Sequence, residues 1–89
     1  MSDLSTRFEA AAESVQLLAE KPDNADLLKL YAFFKQGSSG DVTGKRPGMM
    51  DFVARAKYDA WASIAGMTKD DAMQAYIDLV ASLEARRVD

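Results

Sequence analysis

The sequence predicts an all-α fold, a four-helix bundle, on three observations. Apolar residues recur at steps of three and four, the period of one helix face. Two prolines and a cluster of glycines cut the chain into four such segments. No alternating run long enough for a half-buried strand occurs. Four helical segments with one long connection imply helix packed on helix.

The first segment runs from about Asp3 to Leu18. Leu4, Phe8, Ala11 or Ala12, Val15 and Leu18 form its buried stripe. Lys21-Pro22 ends it, because proline disfavours helix at the residue before it. The second segment runs from about Asn24 to Gln36. Asp23 suits its N-cap, and Asp26 puts negative charge in the first turn, where the helix dipole favours it. Leu27, Leu28, Leu30, Tyr31, Phe33 and Phe34 are too many for one narrow stripe, so this helix is expected to be contacted on more than one side. Gly, Ser and charged residues from 37 to about 50 predict a long loop, a length that is often functional. The third segment starts near Met50 or Asp51 and reaches about Ala65. Phe52, Ala56, Ala60, Trp61 and Ile64 share one face, Asp51 reads as a helix start, and Gly66 suits the left-handed C′ position. The fourth begins at Thr68, an N-cap with Asp71 three residues on, and carries Ala72, Met73, Tyr76, Ile77, Val80 and Leu83 to about Arg87. Trp61, Phe33, Val15, Leu83, Ile77 and Val80 are the expected inter-helix core.

Composition narrows the function. At 89 residues the chain amounts to one small domain, read as 1–89, with 48% hydrophobic and 28% charged residues, a globular balance. It contains no cysteine and no histidine. Disulfides, thiolate nucleophiles and Cys-type metal sites are thereby excluded, along with the commonest general base and metal ligand. The net charge of −3 argues against nucleic acid as the main partner. Met1 to Arg7 has neither a basic nor an apolar signal region, Ser2 stands where myristoylation needs glycine, and no apolar run approaches the ~20 residues of a membrane span. The expected location is the cytosol.

That charge is unevenly spread. Residues 35–57 carry five basic side chains and two acids, net +3, on a remainder of −6. A locally positive centre on an acidic body suits a small anionic ligand; a plain charge fluctuation along the chain is the alternative. Tyr31 and Lys35 are four apart and share a helix face. An ammonium beside a phenol is a plausible phosphate grip, unless Tyr31 is core and Lys35 merely snorkels past it.

Four motifs in register then resemble one family. Tyr31-Ala32-Phe33-Phe34-Lys35-Gln36-Gly37-Ser38-Ser39-Gly40-Asp41 resembles the Y-x-x-[FY]-K-Q-x-x-x-G-D signature of acyl-CoA-binding proteins. Arg46-Pro47-Gly48-Met49-Met50-Asp51-Phe52 is similar to that family's R-P-G-[ML]-x-D-x segment. Ala56-Lys57-Tyr58-Asp59-Ala60-Trp61 and Asp70-Asp71-Ala72-Met73-Gln74-Ala75-Tyr76-Ile77 resemble its A-K-[WY]-x-A-W and [ED]-[ED]-A-M-x-x-Y-[IV] runs. The resemblance covers nearly the whole chain.

It implies an up-down-down-up bundle that binds medium- to long-chain acyl-CoA in a surface bowl. The matched positions imply that Tyr31, Lys35 and Lys57 hold the adenosine 3′-phosphate region and that Tyr76 completes the polar wall. Phe8 and Ala12 would border the bowl near the adenine and pantetheine. Phe34, where the family often has Tyr, would sit against the adenine without a hydroxyl. Gln16 and Val53 stand where Lys is frequent, which removes charge at the periphery; Tyr58 replaces Trp conservatively. Met49 and Met50 are candidates for the acyl groove, since methionine adapts to variable apolar shapes. Lys45, Arg46 and Arg55 either extend the positive rim or are solvated charge. The implied function is a non-enzymatic acyl-CoA carrier and buffer, with acyl-CoA-using enzymes as partners, no metal, no cofactor, no stable membrane insertion and a monomeric state. A second reading makes the Tyr31/Phe34/Tyr76 surface the hot spot of a helical protein-interaction module.

Overall fold

The computed structural model describes residues 3–86. Ser2 and Arg87, both used above, lie outside the described residues. Helix α1 spans Leu4–Ser14 and tightens into a 3-10 turn at Val15–Leu17. The sequence predicts one helix to about Leu18. The turn tightens because Leu18 is already extended, leading the chain away ahead of Pro22. Asp3, not foreseen as a cap, accepts from the Thr6 N–H at 2.7 Å.

Helix α2 spans Asn24–Ser39, three residues beyond the expected end. Gly37 is tolerated inside it because the helix passes close to α1 and α4. A Cβ there would meet Met73 Cγ at 3.1 Å and Phe8 Cζ at 3.2 Å. Gly40, at φ +83°, ends the helix instead. Asp23 caps α2 by accepting from the Asp26 N–H at 2.8 Å, as expected. Helix α3 covers Phe52–Ala62 behind its N-cap Asp51. It stops short of Ala65: residues 63–66 form turns, and Gly66 has a positive φ four residues past the helix end. Helix α4 runs Lys69–Ala85 from the predicted Thr68 cap, which accepts from the Asp71 N–H at 3.0 Å.

Cross-links between helices give their directions. Arg7 bonds Gln74 and Ser14 bonds Glu84, so α1 and α4 run parallel. Lys57 lies over Tyr31 and Trp61 beside Gln36, so α2 and α3 run parallel. Arg86 pairs with Asp26 at 2.9 Å while Met73 meets Gly37, so α2 opposes α4. The bundle is therefore up-down-down-up. Its principal contacts join α2 to α4, α2 to α3, and α1 to α4. Helix α2 is central, which explains its excess of apolar residues. Phe8, Ala11, Leu30, Tyr76, Val80 and Leu83 form the core, with Val15, Leu18, Phe33 and Ile77 packed against it.

Two expectations about α3 change. Phe52 does not face inward; it is 76% exposed, at the open edge between α2 and α3. Trp61 is buried, but in a polar junction. Its indole N–H donates to Gln36 Oε1 at 3.1 Å and to the Gly40 carbonyl at 2.9 Å. Gln36, fully buried, donates to Asp41 Oδ1 at 2.8 Å and to the Met67 carbonyl at 2.7 Å. The Gly66 N–H donates to the same Asp41 oxygen at 2.8 Å. This knot ties the end of α2, the long loop and the α3–α4 turn together. The loop is further held to α3 by a bidentate Arg46–Asp59 pair and by the Tyr58 hydroxyl, which donates to the Gly44 carbonyl at 3.0 Å. No helix among the described residues is long and apolar enough to cross a membrane.

Candidate functional site

Leu27, Leu28, Tyr31, Phe34, Lys35 and Ser38 recur at three- and four-residue steps, so they form one stripe along α2. Helix α1 flanks this stripe on one side and α3 on the other. Because α1 packs on α4 and α3 on α2, a shallow open surface remains above the stripe.

One end of the stripe is aromatic. Phe8 of α1 stacks on Phe34 of α2 with centroids 5.3 Å apart, and meets Tyr76 of α4 edge-on at 5.2 Å. Phe34 and Tyr76 are 5.8 Å apart. Phe8 and Tyr76 are buried beneath, while Phe34 is 39% exposed and presents its ring to solvent. An open depression of ≈ 390 Å³ lies here, lined by Ser5, Phe8, Ala12, Phe34, Gly37 and Met73 among others. Burial raises the Tyr76 pKa, so its phenol stays protonated at neutral pH and remains a donor.

The other end is aliphatic. Asn24, Leu27 and Leu28 of α2 face Phe52, Val53, Ala56 and Lys57 of α3 across a trough of ≈ 360 Å³. Lys57 stands between the two ends, whereas Lys35, next to Phe34, leans toward Trp61. Lys57 Nζ is 5.4 Å from the Tyr31 ring centroid, and Lys35 Nζ is 4.9 Å from that of Trp61. Neither lysine enters a salt bridge among the described residues. Both ammoniums thus rest on rings, which hold a cation weakly, about 0.5–1 kcal/mol at exposed sites.

The structure therefore brings Phe8, Ala12, Phe34 and Tyr76 together at one end and Tyr31 with Lys57 at the middle. Lys35 follows Phe34 in sequence but leans toward Trp61. Met49 and Met50 are not brought in: they are 73% and 90% exposed and line neither the depression nor the trough. Leu27, Leu28, Val53 and Ala56 line the apolar wall instead. The surplus of leucine on α2 was their one signal in the sequence. Tyr76 is only 4% exposed, so it offers little surface to a protein partner. Among the described residues no group of three or more acidic, His or Cys side chains could hold a metal ion.

A surface with a stacking ring, a phenol donor, two uncommitted ammoniums and an aliphatic trough fits a ligand that is aromatic, anionic and apolar in turn. Comparison with known proteins leads to the same place. The family model described as "Acyl CoA binding protein" matches residues 5–80. The chain is 49% identical over 79 residues to "Acyl-CoA-binding protein homolog 1" of Caenorhabditis elegans, covering 89% of this chain and 92% of that protein. It is 45% identical over 78 residues to "Enoyl-CoA delta isomerase 2" of Rattus norvegicus, covering 88% of this chain but only 20% of the isomerase. The crystal structure of Oryza sativa Acyl-CoA-Binding Protein 2 superimposes with a TM-score of 0.86 at 40% identity, covering 90% of this chain and 87% of that one. A match along nearly the whole bundle, in sequence and in structure alike, means that the chain belongs to the acyl-CoA-binding protein family.

Proposed function

We propose that the chain binds medium- to long-chain fatty acyl-CoA thioesters non-covalently and serves as their carrier and buffer in the cytosol, as a single monomeric binding domain. One observation carries the reading: the α2 stripe joins an aromatic end, a cationic middle and an aliphatic trough on one open surface. Tyr31, Lys35 and Lys57 hold the adenosine 3′-phosphate, and the adenine lies on Phe34 above Phe8, with Ala12 leaving room at the rim. Tyr76 donates from below. The acyl tail follows the trough past Leu27, Leu28 and Val53. Where Val53 replaces lysine, apolar wall is gained and charge is lost.

The energetics fit this division. Charge-assisted hydrogen bonds contribute about 1.5–3 kcal/mol each. Base stacking on an aromatic ring adds about 1–3 kcal/mol. Nanomolar binding needs about 12 kcal/mol, so tail burial at up to ~0.8 kcal/mol per methylene must supply much of the rest. The thioester is bound intact, because a chain without His or Cys lacks the usual base and the most reactive nucleophile. Enzymes that make or use acyl-CoA are its exchange partners. Calorimetry tests the proposal: palmitoyl-CoA is expected to bind far more tightly than free coenzyme A, and equal affinities refute the tail trough.

A further inference from the structure

The two ring-bound lysines form a reciprocal arrangement. Tyr31 and Lys35 stand one turn apart on α2, and Lys57 and Trp61 one turn apart on α3. The helices run parallel, so each lends one ring and one lysine to the other. Lys57 Nζ lies 5.4 Å from the Tyr31 centroid, and Lys35 Nζ lies 4.9 Å from the Trp61 centroid. The two rings differ in what else they do. Tyr31 lies on the α2 stripe, and its hydroxyl is a donor that a phosphate can use. Trp61 is no part of the ligand surface. It is 8% exposed and lines neither the depression nor the trough. Its N–H is taken by Gln36 Oε1 at 3.1 Å and the Gly40 carbonyl at 2.9 Å. Those bonds fix the indole by its edge and leave a face to Lys35.

We infer that Trp61 is an intramolecular competitor of the ligand's phosphate for Lys35; this rests on the phosphate role proposed above for that lysine. A ring holds an ammonium less firmly than a phosphate does, so the phosphate wins. The contact with the indole is nonetheless a net stabilisation that belongs to the ligand-free state alone. A contact of that kind opposes binding, because the ligand must outweigh what it displaces. Trp61 therefore tempers the grip without touching the ligand, as a positioning residue that acts through Lys35. The indole also gives the ammonium a place to return to when the ligand is handed on, which suits a carrier better than a permanent store.

The test uses the full chain, by NMR and by calorimetry. In the free protein the side-chain methylenes of Lys35 should be shifted upfield by the indole ring current. Palmitoyl-CoA should remove that shift, and its 3′-dephospho analogue should leave most of it. Calorimetry with the same two ligands measures the preference for the phosphorylated one. Trp61→Leu should raise that preference about two- to fivefold, the range that a surface cation–ring contact supplies. In a Lys35→Ala background the same substitution should leave the preference unchanged. A merely structural role for Trp61 would weaken both ligands alike and leave their ratio where it was. The NMR measurement needs no variant, so it decides the matter even where Trp61→Leu fails to fold. An unshifted Lys35 in the free protein, a shift that survives palmitoyl-CoA, or a preference that falls or stays constant in Trp61→Leu overturns the inference. If palmitoyl-CoA does not bind at all, the carrier reading falls and takes the competition with it, whereas tight binding with Lys35 still on the ring refutes the competition alone.

Discussion

Replacing Lys35 and Lys57 together by alanine removes two ammoniums that have no acidic partner among the described residues. In the ligand-free protein each spends its charge on a ring, 4.9 Å from Trp61 and 5.4 Å from Tyr31. Leaving the ring costs about 0.5–1 kcal/mol. Gaining a charge-assisted bond to a phosphate returns about 1.5–3 kcal/mol. The net is about 1–2 kcal/mol per lysine, hence about 2–4 kcal/mol for the pair, or about 30- to 800-fold in affinity. Two cations on one phosphate are coupled, so the single variants need not sum to the double. The assay is calorimetry with palmitoyl-CoA and, in parallel, with its 3′-dephospho analogue. The wild-type should prefer the phosphorylated ligand, and the double variant should lose that preference while binding the analogue almost unchanged. Lys57 and Lys35 reach the neighbouring helix only through these ring contacts, so unfolding should shift by no more than about 1–2 kcal/mol for the pair. Equal loss for both ligands, with the fold intact, would refute the assignment of these lysines to the phosphate.

Three further outcomes are expected. Leu28→Asp places a charge in the trough and should weaken palmitoyl-CoA about tenfold or more, while free coenzyme A stays within about twofold by the same titration. Gln36→Leu severs buried bonds to Trp61 and Met67 and should cost about 2–3 kcal/mol in urea unfolding. That is a drop of about 4–8 °C in Tm per kcal/mol, and an unmoved midpoint would show the knot to be idle. The Gly66 N–H and then the Gln36 amide hold the Asp41 carboxyl below its usual range. A lowered folded pKa contributes stability above the unfolded value of about 4 and loses it as pH falls through the folded one. Asp41→Asn should therefore lie below the wild-type at neutral pH and converge with it in acid denaturation; a constant gap down to pH 2, on the order of two units below that value, contradicts this.

The helices were legible where side chains act locally. Asp23 and Thr68 cap by reaching three residues along their own chain, so spacing alone reveals them. The surplus of apolar residues on α2 announced a central helix before any neighbour was known. What sequence pattern missed depends on the partner across the gap. Gly37 reads as a breaker until Met73 and Phe8 are found pressed against it. Gln36 reads only as the last residue of a helix until Trp61, Asp41 and Met67 converge on it from three other segments.

The same distinction divides the site. Phe34 entered only through the family resemblance, while Tyr31 and Lys35 were visible as a pair, because helical spacing alone sets them on one face. The trough was not, since it exists only where Leu27 and Leu28 of α2 meet Val53 and Ala56 of α3. Methionine's adaptability pointed to Met49 and Met50 for that role, but adaptability does not fix direction. Asp51 caps α3 just after them, and they end the loop exposed to water. Their exposure leaves them outside the apolar wall that Leu27, Leu28, Val53 and Ala56 form.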